Sequence, residues 1–181
     1  MTKRRKAGNR TAPSRRPRAK RTKRRRVSPI PPGAHTVTPY LTVRDAAAAI
    51  DFYERAFGAK ELHRMTAPDG KVMHADIKMG DSHVFLSDEF PGADTKSPTA
   101  LGSSSVTLHL YFRKVDQAFA RATEAGARAT MPPADMFWGD RFAKVVDPFG
   151  HCWSLGQHQE DVSPKEMAKR AAAAFPTPPT T

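Results

Sequence analysis

The 181-residue chain holds a single cysteine, Cys152. One thiol cannot close an internal disulfide, so no disulfide framework supports this fold, and the composition suits a reducing compartment such as the cytoplasm. No stretch of about 18 apolar residues is present, which excludes a membrane-spanning helix, and no leader-like apolar segment supports secretion. Acidic residues are missing from residues 1–35, which hold 14 Lys or Arg and no Asp or Glu. Aromatic residues are missing there too, so a base-stacking nucleic-acid module is not indicated.

What is present at the N-terminus is Lys3-Arg4-Arg5-Lys6, Arg15-Arg16 and Lys23-Arg24-Arg25-Arg26. Such a segment buries too little apolar surface to offset its ordering entropy, and its like charges repel, so the sequence predicts disorder. Residues 3–26 have three readings: an arm binding nucleic acid or another anionic surface by counterion release, a targeting segment, or a solvated extension from a mis-assigned start. Taking its 14 basic residues from the total of 30 leaves 16 against 18 acidic residues, so the body carries about −2 and the formal +12 belongs to the arm. Ser28-Pro29-Ile30-Pro31-Pro32-Gly33 reads as a linker. The predicted organisation is a tail and linker over 1–34, a folded body over 35–160, and a short helix with a loose end over 161–181. Ser163, Pro164 and Glu166 are the cap, first-turn and capping-box residues of that helix.

The body repeats itself. Val37–Val43 reads as a strand, and Asp45–Phe57 as a helix with Ala49, Ile50, Tyr53, Ala56 and Phe57 at helical spacing. Gly58-Ala59 ends it. Val106–Phe112 and Val115–Ala125 repeat the pattern, ended by Gly126-Ala127. The two copies lie 68 residues apart at their glycines and 69 at Thr38 and Thr107. Three short strands follow each helix: Lys60–Thr66, Val72–Met79 and Ser82–Ser87, then Arg128–Met131, Phe142–Val146 and His151–Gly156. Asp69-Gly70, Gly80-Asp81 and Asp147-Pro148-Phe149-Gly150 supply the turns. Each half is therefore βαβββ, over about 36–90 and 104–160, and the fold class is α+β.

Phe137-Trp138-Gly139-Asp140-Arg141-Phe142 through Asp147-Pro148-Phe149-Gly150-His151-Cys152-Trp153, within this duplication, resembles the closing hairpin of the vicinal oxygen chelate superfamily. That superfamily holds glyoxalase I, bleomycin-resistance proteins and extradiol dioxygenases. His74-Ala75-Asp76 and Ser97-Pro98 with Leu101-Gly102 are similar to its PhnB-like branch. The resemblance covers about 36–160. It implies tandem βαβββ modules forming an open curved-sheet cup with helices outside, and a homodimer.

Strand alternation assigns the cup's lining. Thr38, Tyr40 and Thr42 share one face, while Leu41 and Val43 face the helix. By the same rule Thr107, His109 and Tyr111 look inward, as do Cys152, Ser154 and Gly156, while Trp153 and Leu155 fill the core. A weakly polar, aromatic lining suits a small organic ligand. His74 and Asp76 share a face that the sequence does not fix. Trp138 either stacks on a ligand or packs on a neighbouring subunit. Arg141 either clamps an anion or pairs with Asp140 or Asp147. His151 is expected to cap its hairpin, and Cys152 to be a buried structural thiol.

In metal-dependent relatives four His, Gln or Glu ligands sit on these strands. The matching places here are Thr38, about Leu86, Thr107 and Ser154, none of them a useful divalent-metal donor. The resemblance therefore implies no metal ligands at the usual places, and no cofactor is expected. A divalent metal would need a displaced site built from His74, Asp76 or His109. The preferred expectation is a metal-free small-molecule-binding protein of the glyoxalase/bleomycin-resistance type. The alternatives are a lyase, isomerase or dioxygenase using a displaced metal or acid/base chemistry at His109 with Tyr40 or Tyr111, and a nucleic-acid-associated protein acting through its arm.

Overall fold

A computed structural model describes residues 27–175; the basic runs of 3–26 and the end beyond Phe175 lie outside the described residues. The first module contains β1 (Tyr40–Val43), α1 (Ala46–Phe57), β2 (Lys60–Thr66), β3 (Val72–Met79) and β4 (Ser82–Asp88). A short α2 (Pro98–Leu101) follows in the connection. The second module contains β5 (Thr107–Tyr111), α3 (Val115–Glu124), β6 (Arg128–Asp135), β7 (Asp140–Val146) and β8 (Cys152–His158), and α4 (Pro164–Ala174) comes last. The sheets have the same order, β1-β4-β3-β2 and β5-β8-β7-β6, each with one parallel and two antiparallel pairings. This is the expected pair of βαβββ modules.

Local chemistry sets the ends of the helices. The Asp45 carboxylate accepts from Ala48 N–H, and Gly58 turns the chain out of α1 at φ 71°. A left-handed residue at that place costs least as glycine. The residue at the N-cap position of α3 is Lys114, which offers no capping oxygen. Gln157 of β8 takes that role, its Oε1 accepting from Val115 N–H at 3.1 Å. Ser163 caps α4 by accepting from Glu166 N–H, while the Glu166 carboxylate pairs with Arg170. No helix among the described residues is long and apolar enough to cross a membrane.

Helices α1 and α3 pack on each other, and the helix-facing sides of both sheets share one core. Tyr53, Phe52 and Ile50 of α1, Trp153 and Leu155 of β8, and Ile77 and Leu86 of the first sheet are fully buried. Each such side chain contributes roughly 1.5–3 kcal/mol relative to exposure. Tyr53 and Phe57 lie 5.4 and 4.9 Å from the Trp153 ring, so the first module's helix rests on the second module's sheet.

Asp147, in the last hairpin turn, joins the modules. Its buried carboxylate accepts from the Tyr53 hydroxyl (2.8 Å), Trp153 Nε1 (2.8 Å), and the backbone N–H groups of Phe149 and His151 (2.9 Å each). Four donors disperse the charge of one carboxylate and replace the water it gave up. Burial first, then the Asp147 charge and hydrogen bond, raise the Tyr53 phenol well above its ordinary value.

His151 differs from expectation. It is buried, and its Nε2–H donates to the Thr42 carbonyl at 3.2 Å, so it bridges to β1 of the other module. Asp147 caps the hairpin in its place. Cys152 is half-buried rather than buried. Burial holds the His151 imidazole below its ordinary value near 6.5. The depressed value means that its contribution to stability is present above about pH 6.5 and is lost as pH falls through the folded value. A thermal melt from about pH 7.5 down to about pH 5.5 should therefore lose stability, and His151→Gln should flatten that loss. An equally steep loss in the variant would refute this role for His151.

Candidate functional site

The faces of the two sheets turned away from the helices carry the candidate residues. On the first sheet Tyr40, His74 and Phe85 form one aromatic group. The Tyr40 hydroxyl and His74 Nδ1 share a hydrogen bond of 3.3 Å, and the Tyr40–Phe85 and His74–Phe85 ring centroids lie 6.1 and 5.0 Å apart. Asp76 shares this face with His74, because Ala75 and Ile77 between and beyond them point into the core. Its carboxylate is held by His83 Nδ1 at 2.9 Å.

On the second sheet the group is centred on His109. Its Nδ1 and the Ser154 hydroxyl share a hydrogen bond of 2.8 Å. Tyr111 meets the ring edge-on at 4.5 Å, and Phe142 stacks with it at 6.0 Å. Gly156 supplies the room. A Cβ there would stand 2.9 Å from His109 Cε1 and Nε2 and 3.2 Å from Tyr111 Cε1, too close for any side chain while the rings stay in place. Burial holds the His109 imidazole below its ordinary value, so the neutral ring predominates near neutral pH. Among the described residues Nε2 has no hydrogen-bond partner, and it is the ring's one polar atom available to a ligand. Trp138 extends the group: its indole lies 5.6 Å from Phe142 and its Nε1 donates to Asp140 Oδ2.

Two expectations need correction. Thr38 does not lie on a strand, since β1 begins at Tyr40, and its hydroxyl donates to the His35 carbonyl. The Pro39 ring removes an N–H just where the predicted strand would start. Arg141 pairs with neither Asp140 nor Asp147. Its guanidinium forks onto Asp116 of α3 at 2.6 and 2.7 Å and reaches Asp135 at 3.0 Å. Those carboxylates occupy it, and Asp140 is taken by Trp138 and His158. Thr107 shares its face of β5 with His109 and Tyr111 and is exposed at the strand's end.

Phe85, Phe142 and Lys144 are site residues that the sequence reading did not assign. Phe142 and Lys144 alternate on β7 and lie opposite Gly156 and Ser154 of β8. Period-two counting back from the Asp147–Gly150 turn would have put them on the site face.

The residues at the four usual ligand places do not fit a divalent ion. Thr38 is committed to a carbonyl, Leu86 is fully buried on the helix side, Thr107 offers an exposed hydroxyl, and Ser154 is bonded to His109. For a displaced site, His74 and Asp76 lie on the first sheet and His109 on the second. Among the described residues no three His, Cys, Asp or Glu side chains are grouped closely enough to hold a metal ion.

Comparison with known proteins agrees with this architecture. Residues 34–155 match the profile of the Glyoxalase/Bleomycin resistance protein/Dioxygenase superfamily. An uncharacterized protein of Mycobacterium tuberculosis is 46% identical over 134 residues, covering 72% of this chain and 79% of that protein. Among solved structures, TioX from Micromonospora sp. ML1 aligns with a TM-score of 0.55 at 28% identity, over 71% of this chain and all (100%) of that one. A PhnB protein from Bacillus cereus shares the fold at a TM-score of 0.55 and 15% identity, over 68% of this chain and 99% of that one.

Proposed function

The chain belongs to the glyoxalase/bleomycin resistance protein/dioxygenase superfamily, and from that premise we propose that it is a metal-free small-molecule-binding protein working as a homodimer in the cytoplasm. The observation that carries this reading is the seat of His109. A neutral imidazole is fixed by Ser154, flanked by Tyr111 and Phe142, and accommodated by Gly156. Aromatic walls with one oriented polar atom are what a small planar organic ligand needs. The side chains at the usual ligand places supply no metal donor, so binding rests on stacking and hydrogen bonding.

Dimerisation is supported by the openness of both faces. Tyr40 is 51% and Tyr111 67% exposed, and Met65 of β2 and Met73 of β3 are nearly half exposed. Each sheet offers half of a cup, and apolar surface of this extent is commonly covered by a partner. A second copy would set the Tyr40–His74–Phe85 face against the His109–Tyr111–Phe142 face, both halves being present in every chain. Light scattering coupled to size exclusion should return twice the 19.9 kDa chain mass. Tyr111→Arg should lower both the dimer fraction and ligand affinity. A monomer that still binds ligand with unchanged affinity would refute the shared cup.

A further inference from the structure

Away from both sheet faces, a cavity of about 440 Å³ opens between the end of β1, the start of β3 and the loop after β4. Arg44, Lys71 and Lys96 line it together with Glu89 and Phe90. Three cations against one carboxylate leave an excess of two positive charges. Among the described residues none of the three cations forms an ion pair. Two nearby acids are committed elsewhere: Glu89 Oε2 accepts from the Ser97 hydroxyl at 2.9 Å, and Asp88 accepts from the N–H groups of Ala46 and Val72 at 2.8 and 2.6 Å.

Lys71 is anchored by the fold. The Ala67–Gly70 turn fixes its backbone, its ammonium donates to the Glu89 carbonyl at 3.3 Å, and the same ammonium lies 5.4 Å above the Phe90 ring. These contacts hold the charge at the cavity wall without neutralising it. The volume exceeds that of a bare anion and falls in the range of small-ligand pockets.

We propose that this cavity is a second ligand site, for a small organic phosphate monoester whose dianion meets Arg44, Lys71 and Lys96 and whose organic part lies against Phe90. A dianion matches the uncompensated charge, and the arginine fork suits phosphate oxygens.

The probe is phenyl phosphate, titrated into the full-length chain in low-salt buffer and followed by backbone amide NMR, with inorganic phosphate as comparison. The expected result is saturable shifts at Lys71, Phe90 and Gly92, with phenyl phosphate binding more tightly than inorganic phosphate. Lys71→Met, which keeps the stem over Phe90, and Lys96→Gln, on an exposed loop, should each weaken binding roughly tenfold, the scale of one hydrogen bond to a charged group. Glu89→Gln should tighten binding, because it removes the repelling charge and keeps the acceptor for Ser97. Shifts confined to residues 1–26, or affinity indifferent to Lys71→Met, Lys96→Gln and Glu89→Gln, would mean an adventitious ion only and would overturn the site.

Discussion

Asp147→Ala is expected to destabilise the protein by about 3–5 kcal/mol, the scale of losing one partner from a buried charged network. The carboxylate serves four donors, two of them side chains in the core: the Tyr53 hydroxyl of the first module and the Trp153 indole of the second. Removing it leaves both unsatisfied where water cannot easily reach, and frees the Phe149 and His151 N–H groups that shape the turn. For a chain of this size each kcal/mol shifts the melting temperature by about 2–4 °C, so a loss of about 6–20 °C is expected. Tyr53→Phe should cost much less, about 1–2 kcal/mol, because Asp147 keeps three donors. A double-mutant cycle between the two positions should show strong non-additivity. A melting shift in Asp147→Ala no larger than that of Tyr53→Phe would show that Asp147 does not join the modules.

Gly156→Ala should do the opposite, sparing the fold and weakening ligand binding. The glycine is on a β-strand and its φ is not in the left-handed region, so the backbone tolerates a side chain there. The new Cβ meets the movable ends of His109 and Tyr111 rather than backbone, so the rings swing aside at a cost of about 1 kcal/mol. His109 then loses Ser154, and the oriented Nε2 with it. Ligand affinity should fall at least about tenfold while the melting temperature changes little. His109→Ala and Ser154→Ala should reproduce the binding loss. A Gly156→Ala protein that binds as tightly as the parent would separate this seat from the site.

Much of the fold is legible in the sequence because the signals are local. Gly58-Ala59 and Gly126-Ala127 end helices in both modules, and Asp69-Gly70 and Asp147–Gly150 mark turns where the structure has them. The inward set Tyr40, His109, Tyr111 and Ser154 follows from period-two alternation. What escaped is the pairing between distant segments. Arg141 chooses Asp116, 25 residues away on α3, because that helix crosses the same sheet. His151 reaches Thr42, 109 residues distant, because the modules pack through their helices. No spacing encodes either contact. The short helix α2 was missed as well. Ser97 caps it by accepting from Ala100 N–H and Pro98 opens it, signals that are present in the sequence but belong to a helix of four residues.

The measurement that tests the central claim most directly is a small-molecule binding screen by NMR on the full chain, stripped of divalent metal and held in excess chelator. The account predicts planar organic ligands that bind under these conditions and shift Tyr111, Phe142 and the His109 ring, with no gain in affinity when zinc, nickel, manganese or iron is restored. Ligands that bind only after a divalent metal is added, with the metal retained near one per chain, would contradict it.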